Sequence, residues 1–453
     1  METRGSPAEA GGRRPAAWGD AVVALGPATA DGQTLVAFTT AVDLGQSCLL
    51  IRQPGRECTC GEQLSIRGLD IPRPRHQAAF IGSQMAGQWG CLHGVNEFGV
   101  AVGHVGLRSR LRLADAGLTG PELARLALER AHSARQAADL LTDWVERFGP
   151  APAELSGPLP DHAFLVADSQ EAFAIETAGR FWAYQEVLQA RAVSNLGMIR
   201  QDWDRIACGT ASHAIAQGWW PGDGSKLDFA GTLAGESAGV ASALSRWGRA
   251  TLLLEQQNGR IDAAFLRGLL SDHYEGMRSQ VDPLSEADGP VPLCQHPKLG
   301  QRHITSASLI ACLAPLPDRL RIVWCALGPP CISVFFPMFL EGDLPQPYTD
   351  PDDGVAAQLR QLIEHWRLDR RCWHQARTSL NRLQARFDSE AQEFAAEGAA
   401  LRQAGESAEL QRLARMFMEH TLELFADALR SWSYARAHGA RSDLWARPLG
   451  AGW

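Results

Sequence analysis

The sequence contains no apolar run of the roughly 20 residues that a spanning helix needs, so no membrane span is expected. It has no basic excess either: 43 Lys and Arg stand against 51 Asp and Glu, a net charge of −8. Nucleic acid and anionic membrane surfaces are therefore not expected partners. The first residues carry arginines but no apolar h-region, so they do not read as a secretory signal. The ten cysteines include no C-x-x-C pair; Cys58 and Cys60 are separated by one residue. Paired zinc knuckles and a dense disulfide framework are thus absent from the pattern. The cysteines read as reduced core thiols of a cytoplasmic protein. What remains is an ordinary globular composition, 45% apolar and 21% charged, with 453 residues to build a sizeable core.

Residues 1–17 are Gly, Pro, Ala and Arg without periodicity and read as a disordered leader. Short apolar runs at 21–25 and 34–38 flank the turn signal at Asp31 and Gly32. They predict a hairpin that is apolar on both faces and lies between layers. A small-residue strand follows at 99–103. The period then changes: Leu123, Leu126 and Ala127, then Leu140, Leu141, Trp144 and Val145, predict a helix pair over 119–147 with Thr119 as N-cap. Residues 162–167 and 172–177 form a second predicted hairpin. Helices are expected near 201–217 and 240–272, and strands at 304–314 and 321–327. The order of strands and helices is α+β rather than a βαβ repeat. From about 352 to 440 Gly and Pro nearly vanish, and helical periodicity runs over 354–386 and 407–434. Two readings stay open there. One is an amphipathic hairpin packing on its own domain; the other is an arm for self-association or a protein partner through 352–434.

Several constellations carry chemistry. Gly235 to Gly239 spell G-x-S-x-G, the nucleophile-elbow pattern, with Ser237 at its centre. No Val/Ile-rich strand precedes it, so Ser237 also reads as a helix cap. Asp272, His273, Cys294, His296 and His303 fit no standard zinc spacing. They leave three readings: a metal site, a polar loop near a substrate mouth, or hydrogen-bonded surface. No metal and no cofactor is assigned. The stretch from Trp89 to Val100 reads as a polar turn in which Asn96 and Glu97 satisfy backbone groups, and Glu176 reads first as part of a turn.

Together these stretches resemble the secernins, dipeptidase-type cysteine peptidases of the N-terminal-nucleophile hydrolase superfamily. The resemblance is carried by GDAVVALGPAT at 19–29, NEFGVAVG at 96–103, LALER at 126–130, FLVAD at 164–168 and ETAGRFWA at 176–183. The pairs and short runs SN at 194–195, GWW at 218–220, TSAS at 305–308 and FFPMF at 335–339 continue it in order. It implies a four-layer αββα sandwich over residues 18–350, a helical extension over 351–440 and a tail over 441–453. It also implies amide hydrolysis by a thiol at the first residue of the mature chain, whose own α-amine takes the proton.

The sequence departs from that pattern at the nucleophile. Where the family has Cys before Asp, this chain has Gly19 before Asp20. The family's Gly-Lys-Asn-Ser-Asp-Arg is replaced by AFTTAV at 37–42. Phe38 stands at the basic position, Ala41 at the carboxylate and Val42 at the arginine. His104 and Val105 replace an Asn-Glu pair. Asn195 remains, resembling the family's oxyanion-side residue. The expectation is a pseudoenzyme that binds a small peptide or acyl-amide ligand, in a pocket drawn from Asp20, Trp89, Asn96, Glu97, Glu176, Asn195 and His296. The alternative is an active hydrolase or esterase with a relocated nucleophile such as Ser237 or Cys91.

Overall fold

The computed structural model describes residues 18–111, 117–151, 159–235, 240–285, 289–297, 303–314, 318–366 and 370–437. The expected leader 1–17, the tail 441–453 and Ser237 lie outside these residues.

Two antiparallel sheets form the centre. The first has six strands in the order β14-β1-β2-β16-β17-β18. They are β1 (Trp18–Ala24), β2 (Leu35–Asp43), β14 (Ala190–Val193), β16 (His303–Cys312), β17 (Val323–Leu327) and β18 (Phe336–Met338). The second has eight, in the order β15-β13-β12-β11-β10-β9-β8-β3. These are β3 (Cys48–Gln53), β8 (Phe80–Met85), β9 (His93–Asn96), β10 (Ala101–Leu107), β11 (Asp161–Ala167), β12 (Ala172–Ala178), β13 (Phe181–Glu186) and β15 (Arg205–Ile206). Two small ribbons extend from it, β4 (Arg56–Glu57) with β7 (His76–Gln77) and β5 (Gln63–Ile66) with β6 (Leu69–Pro72).

The outer layers are helical. Helices α1 (Gly120–Leu128) and α2 (Ala134–Phe148) cover the eight-stranded sheet. Thr119 and Glu122 cap α1 reciprocally, and Arg67 holds the Glu122 carboxylate at 2.6 Å. Two short helices, α3 (Thr210–Ala216) and α4 (Phe229–Leu233), follow the second sheet. Helices α5 (Val240–Gln256) and α6 (Ala263–Leu270) cover the six-stranded sheet. The architecture is an αββα sandwich, as the resemblance implies.

The hairpin expected between layers is there. Every residue of β2 from Leu35 to Val42 is buried, because one face meets the second sheet and the other meets helices. Two helical expectations need correction. Residues 201–217 are helical only over α3, because the stretch before it pairs as β15 with β13. Residues 240–272 form two helices, broken where Gly259 turns with φ +78° and Asp262 caps the second.

Three further helices, α7 (Val355–Trp366), α8 (Arg370–Gln403) and α9 (Ser407–Ala437), follow the last strand. They pack on their own chain. Phe336 of β18 meets Phe387 of α8 and Phe425 of α9 at ring separations of 5.8 and 5.1 Å. The edge strand β18 is three residues long, contains Pro337, and has α8 and α9 packed against it.

Candidate functional site

Strand β1 pairs with β2 on one side and β14 on the other, which brings Gly19 and Asp20 beside Ser194 and Asn195. The Gly19 N–H donates to Asn195 Oδ1 at 3.1 Å, and Asn195 Nδ2 donates to the Gly106 carbonyl at 2.8 Å. Helix α5 adds Arg246, which is 1% exposed. Its Nε donates to both oxygens of Asp20 at 3.1 and 3.0 Å. Its remaining nitrogens reach Ser242 Oγ, Ser194 Oγ and Asn195 Oδ1 at 2.8, 3.2 and 2.9 Å. Ser194 Oγ completes the set by donating to Asp20 at 2.6 Å. The buried charge pair is thus satisfied on nearly every side, which burial requires.

Position 19 has no space for a side chain. A Cβ built on Gly19 would stand 2.8 Å from the Thr39 carbonyl oxygen, a backbone atom of the paired strand. The neighbouring positions are closed as well. Phe38 is 2% exposed and stacks on His93, with ring centroids 5.7 Å apart. A Cβ on Gly103 would lie 2.2 Å from the Phe38 ring, so only glycine admits the phenyl group there. Ala41 and Val42 are buried with it. The altered positions therefore form packed core rather than an apolar pocket. His104 turns to His162, 3.3 Å away; burial, with His162 beside it, holds it well below its ordinary pKa.

A cavity of about 250 Å³ opens next to this network. Leu107, Ala178, Leu196, Phe229, Ala230 and Leu233 supply apolar wall; Arg108, Ser109, Glu176, Thr177 and Asn195 supply polar groups. Glu176 sits within β12 rather than in a turn. Its carboxylate accepts the N–H groups of Met198 and Ile199 at 2.6 and 3.1 Å. Burial pushes it up to about 7, against those hydrogen bonds.

Of the residues expected in a pocket, Glu176 and Asn195 line this cavity; Asp20 does not, and is linked to Asn195 through Arg246. The others serve elsewhere. Trp89 lies under the Arg125 guanidinium at 4.5 Å. Asn96 ties its turn to α1, donating to the Leu128 and Ala131 carbonyls. Glu97 binds His76 and the Ala79 N–H. Cys91 is fully buried, its thiol pushed up to about 12 by burial. Arg246 was not anticipated. The available signal was its spacing with Ala243, Ala250 and Leu254, which puts an arginine on the buried stripe of α5.

The second cluster is reorganised in the fold. Asp272 turns to Arg249, which donates to both its oxygens at 2.9 and 2.6 Å. His303 pairs with Asp43 at 3.3 Å. His273, Cys294 and His296 stay together, and Cys331 joins them.

No protein-family model matches the chain. Among solved structures it is similar to a penicillin V acylase from Agrobacterium tumefaciens, at 12% identity and a TM-score of 0.38, over 71% of this chain and 86% of the other. It is also similar to a conjugated bile acid hydrolase from Clostridium perfringens, at 12% identity and 0.35, over 68% and 89%. An N-acylethanolamine-hydrolyzing acid amidase orthologue from Caenorhabditis elegans matches at 12% and 0.32, over 66% and 94%. The fold, an αββα sandwich, is read from the chain's own two sheets and their helical covers. Among the described residues no helix is long and apolar enough to cross a membrane.

Proposed function

We propose that this chain is a secernin-like pseudoenzyme, an amide-hydrolase fold that binds without turning over. The observation that carries the reading is Gly19. It has no nucleophilic atom, a Cβ there meets the Thr39 carbonyl, and its N–H is already committed to Asn195. Family chemistry needs both a thiol and a free amine at that place. The remaining polar groups bond one another, so they support structure rather than an oxyanion.

The cavity beside Asn195 is the binding place in this reading. Its volume and largely apolar wall suit a short acyl or aliphatic side chain, and Glu176 and Asn195 suit an amide at the end of it. The test is a thermal-shift screen of dipeptides and N-acyl amino acids, paired with a hydrolysis assay on the same compounds. Binding should raise the melting temperature by mass action with no product formed. Turnover that Asn195→Ala abolishes would refute the proposal.

One observation favours a second reading. Gly235 lines the cavity, and Ser237 of the elbow motif is two residues further on. An esterase or amidase using Ser237 predicts stoichiometric fluorophosphonate labelling of that serine, lost in Ser237→Ala. Absent or scattered labelling sinks it.

A further inference from the structure

His273, Cys294, His296 and Cys331 converge from three separate stretches of chain. His273 follows the end of α6, Cys294 and His296 lie in the segment before β16, and Cys331 lies in the turn after β17. All four are buried, and their ligand atoms lie within 4.8 Å of one another. Cys294 Sγ is 3.4 Å from His296 Nε2, and that nitrogen is 3.2 Å from Cys331 Sγ. A tetrahedral zinc with Zn–S of about 2.3 Å and Zn–N of about 2.0 Å spaces its ligand atoms roughly 3.3–3.8 Å apart. The first separation lies within that spacing and the second falls just short of it.

The surroundings also fit. Glu275 Oε1 lies 3.3 Å from His273 Nδ1, the carboxylate partner that fixes a metal-binding imidazole with its other nitrogen turned inward. That other nitrogen, His273 Nε2, is buried without a hydrogen-bond partner. The next residue, Tyr274, holds a left-handed backbone at φ +63°, unusual for a bulky side chain. Its N–H binds Asp272 and its hydroxyl binds the Val291 carbonyl, at 2.9 and 3.0 Å. This strain is maintained beside the cluster by an over-determined frame, as at ligand sites.

We infer that these four residues form a closed Cys2His2 site for a zinc ion. Two thiolates and two imidazoles are a donor set that selects zinc, and full burial with four protein ligands marks a structural site. On binding, each thiol gives one proton to solvent. The ion's two positive charges are then balanced by two thiolates, so no net charge is buried. No electron transfer is involved. The ion would fasten α6, the segment before β16 and the turn after β17 beneath Trp373 of α8, whose ring lies 5.6 Å from that of His296.

The test is metal analysis of the purified full-length chain. Native and denaturing masses should differ by one zinc ion, and elemental analysis should give one zinc per chain. Cys294→Ser and Cys331→Ser should lose it, while Cys60→Ser, at an exposed cysteine, should keep it. If the two variants do not fold, the wild-type chain still decides. Cobalt exchanged into it should give a thiolate-to-cobalt charge-transfer band and the intense ligand-field bands of a tetrahedral ion. A wild-type chain with no stoichiometric metal and no such bands would overturn the inference. So would peptide mapping that finds Cys294 and Cys331 joined as a disulfide.

Discussion

The amide N–H of Gly19 donates to the side-chain oxygen of Asn195, 3.1 Å away, although the two residues are 176 positions apart. On the proposed reading, the place where the family carries its nucleophile is held within the pairing of β1 and β2, with Gly19 opposite Thr40. The expected consequence is that a thiol restored there does not restore chemistry. Gly19→Cys, in a chain beginning at that residue, should show no hydrolysis of dipeptides or acyl-amino substrates. Contact with the Thr39 carbonyl should lower stability by about 1–3 kcal/mol. Urea unfolding and a product assay check both; measurable turnover would show that the site is only one residue from activity.

Asp20 and Arg246 form a buried pair, so the two single losses should be unequal to the double loss. Arg246→Met leaves an unpaired carboxylate in the interior and should cost about 3–5 kcal/mol. Asp20→Asn with Arg246→Met removes both charges and should recover a substantial part. A double-mutant cycle by chemical denaturation measures the coupling. Additive losses would mean that the pair is not acting as one unit.

Glu176 gives a pH signature with a fixed sign. Its folded pKa of about 7 lies above its ordinary value of 4.5. The stability tied to its neutral form is therefore complete below pH 4.5 and is lost as pH rises through 7. Glu176→Gln keeps an acceptor for the Met198 and Ile199 N–H groups but cannot ionise. The variant and wild type should be similar near pH 4, with the variant more stable by roughly 3 kcal/mol at most near pH 8. Parallel stability curves across that range would contradict the assignment.

Helices α7 to α9 bury Leu383, Phe387 and Phe425 against the chain that precedes them. Deleting residues 352–453 should uncover Phe336, Phe339 and Tyr348 and give aggregated protein or a non-cooperative melt. Sedimentation and thermal unfolding of the truncated chain check this. A soluble, cooperatively folding truncation would favour the alternative reading of the segment as a separate arm.

Much of the layering was legible because burial on both sides leaves a simple mark: the apolar runs 21–24 of β1 and 35–38 of β2 point to a place between layers. Thr119 announced α1 because cap chemistry is local. The site was less legible because its members are brought together by strand order. Nothing near Asp20 in sequence points to Arg246, 226 positions away. Glu176 could be named as a pocket residue from the sequence, but its local reading as turn chemistry near Gly179 gave no sign of the Met198 and Ile199 amides that fold over it. The cysteine and histidine cluster failed on spacing for the same reason. Cys331 lies 35 positions past His296, and the intervening β16–β17 hairpin returns it to the same place.

Pro337 has a consequence for assembly. Proline offers no N–H to a neighbouring strand, and it occupies the outermost strand of the six-stranded sheet with α8 and α9 lying against it. That border offers few backbone groups for pairing, with three residues of which one is proline. An extended peptide or a second copy gains little by lengthening the sheet there, so recognition of another chain on that flank is expected to use side-chain surface rather than backbone pairing.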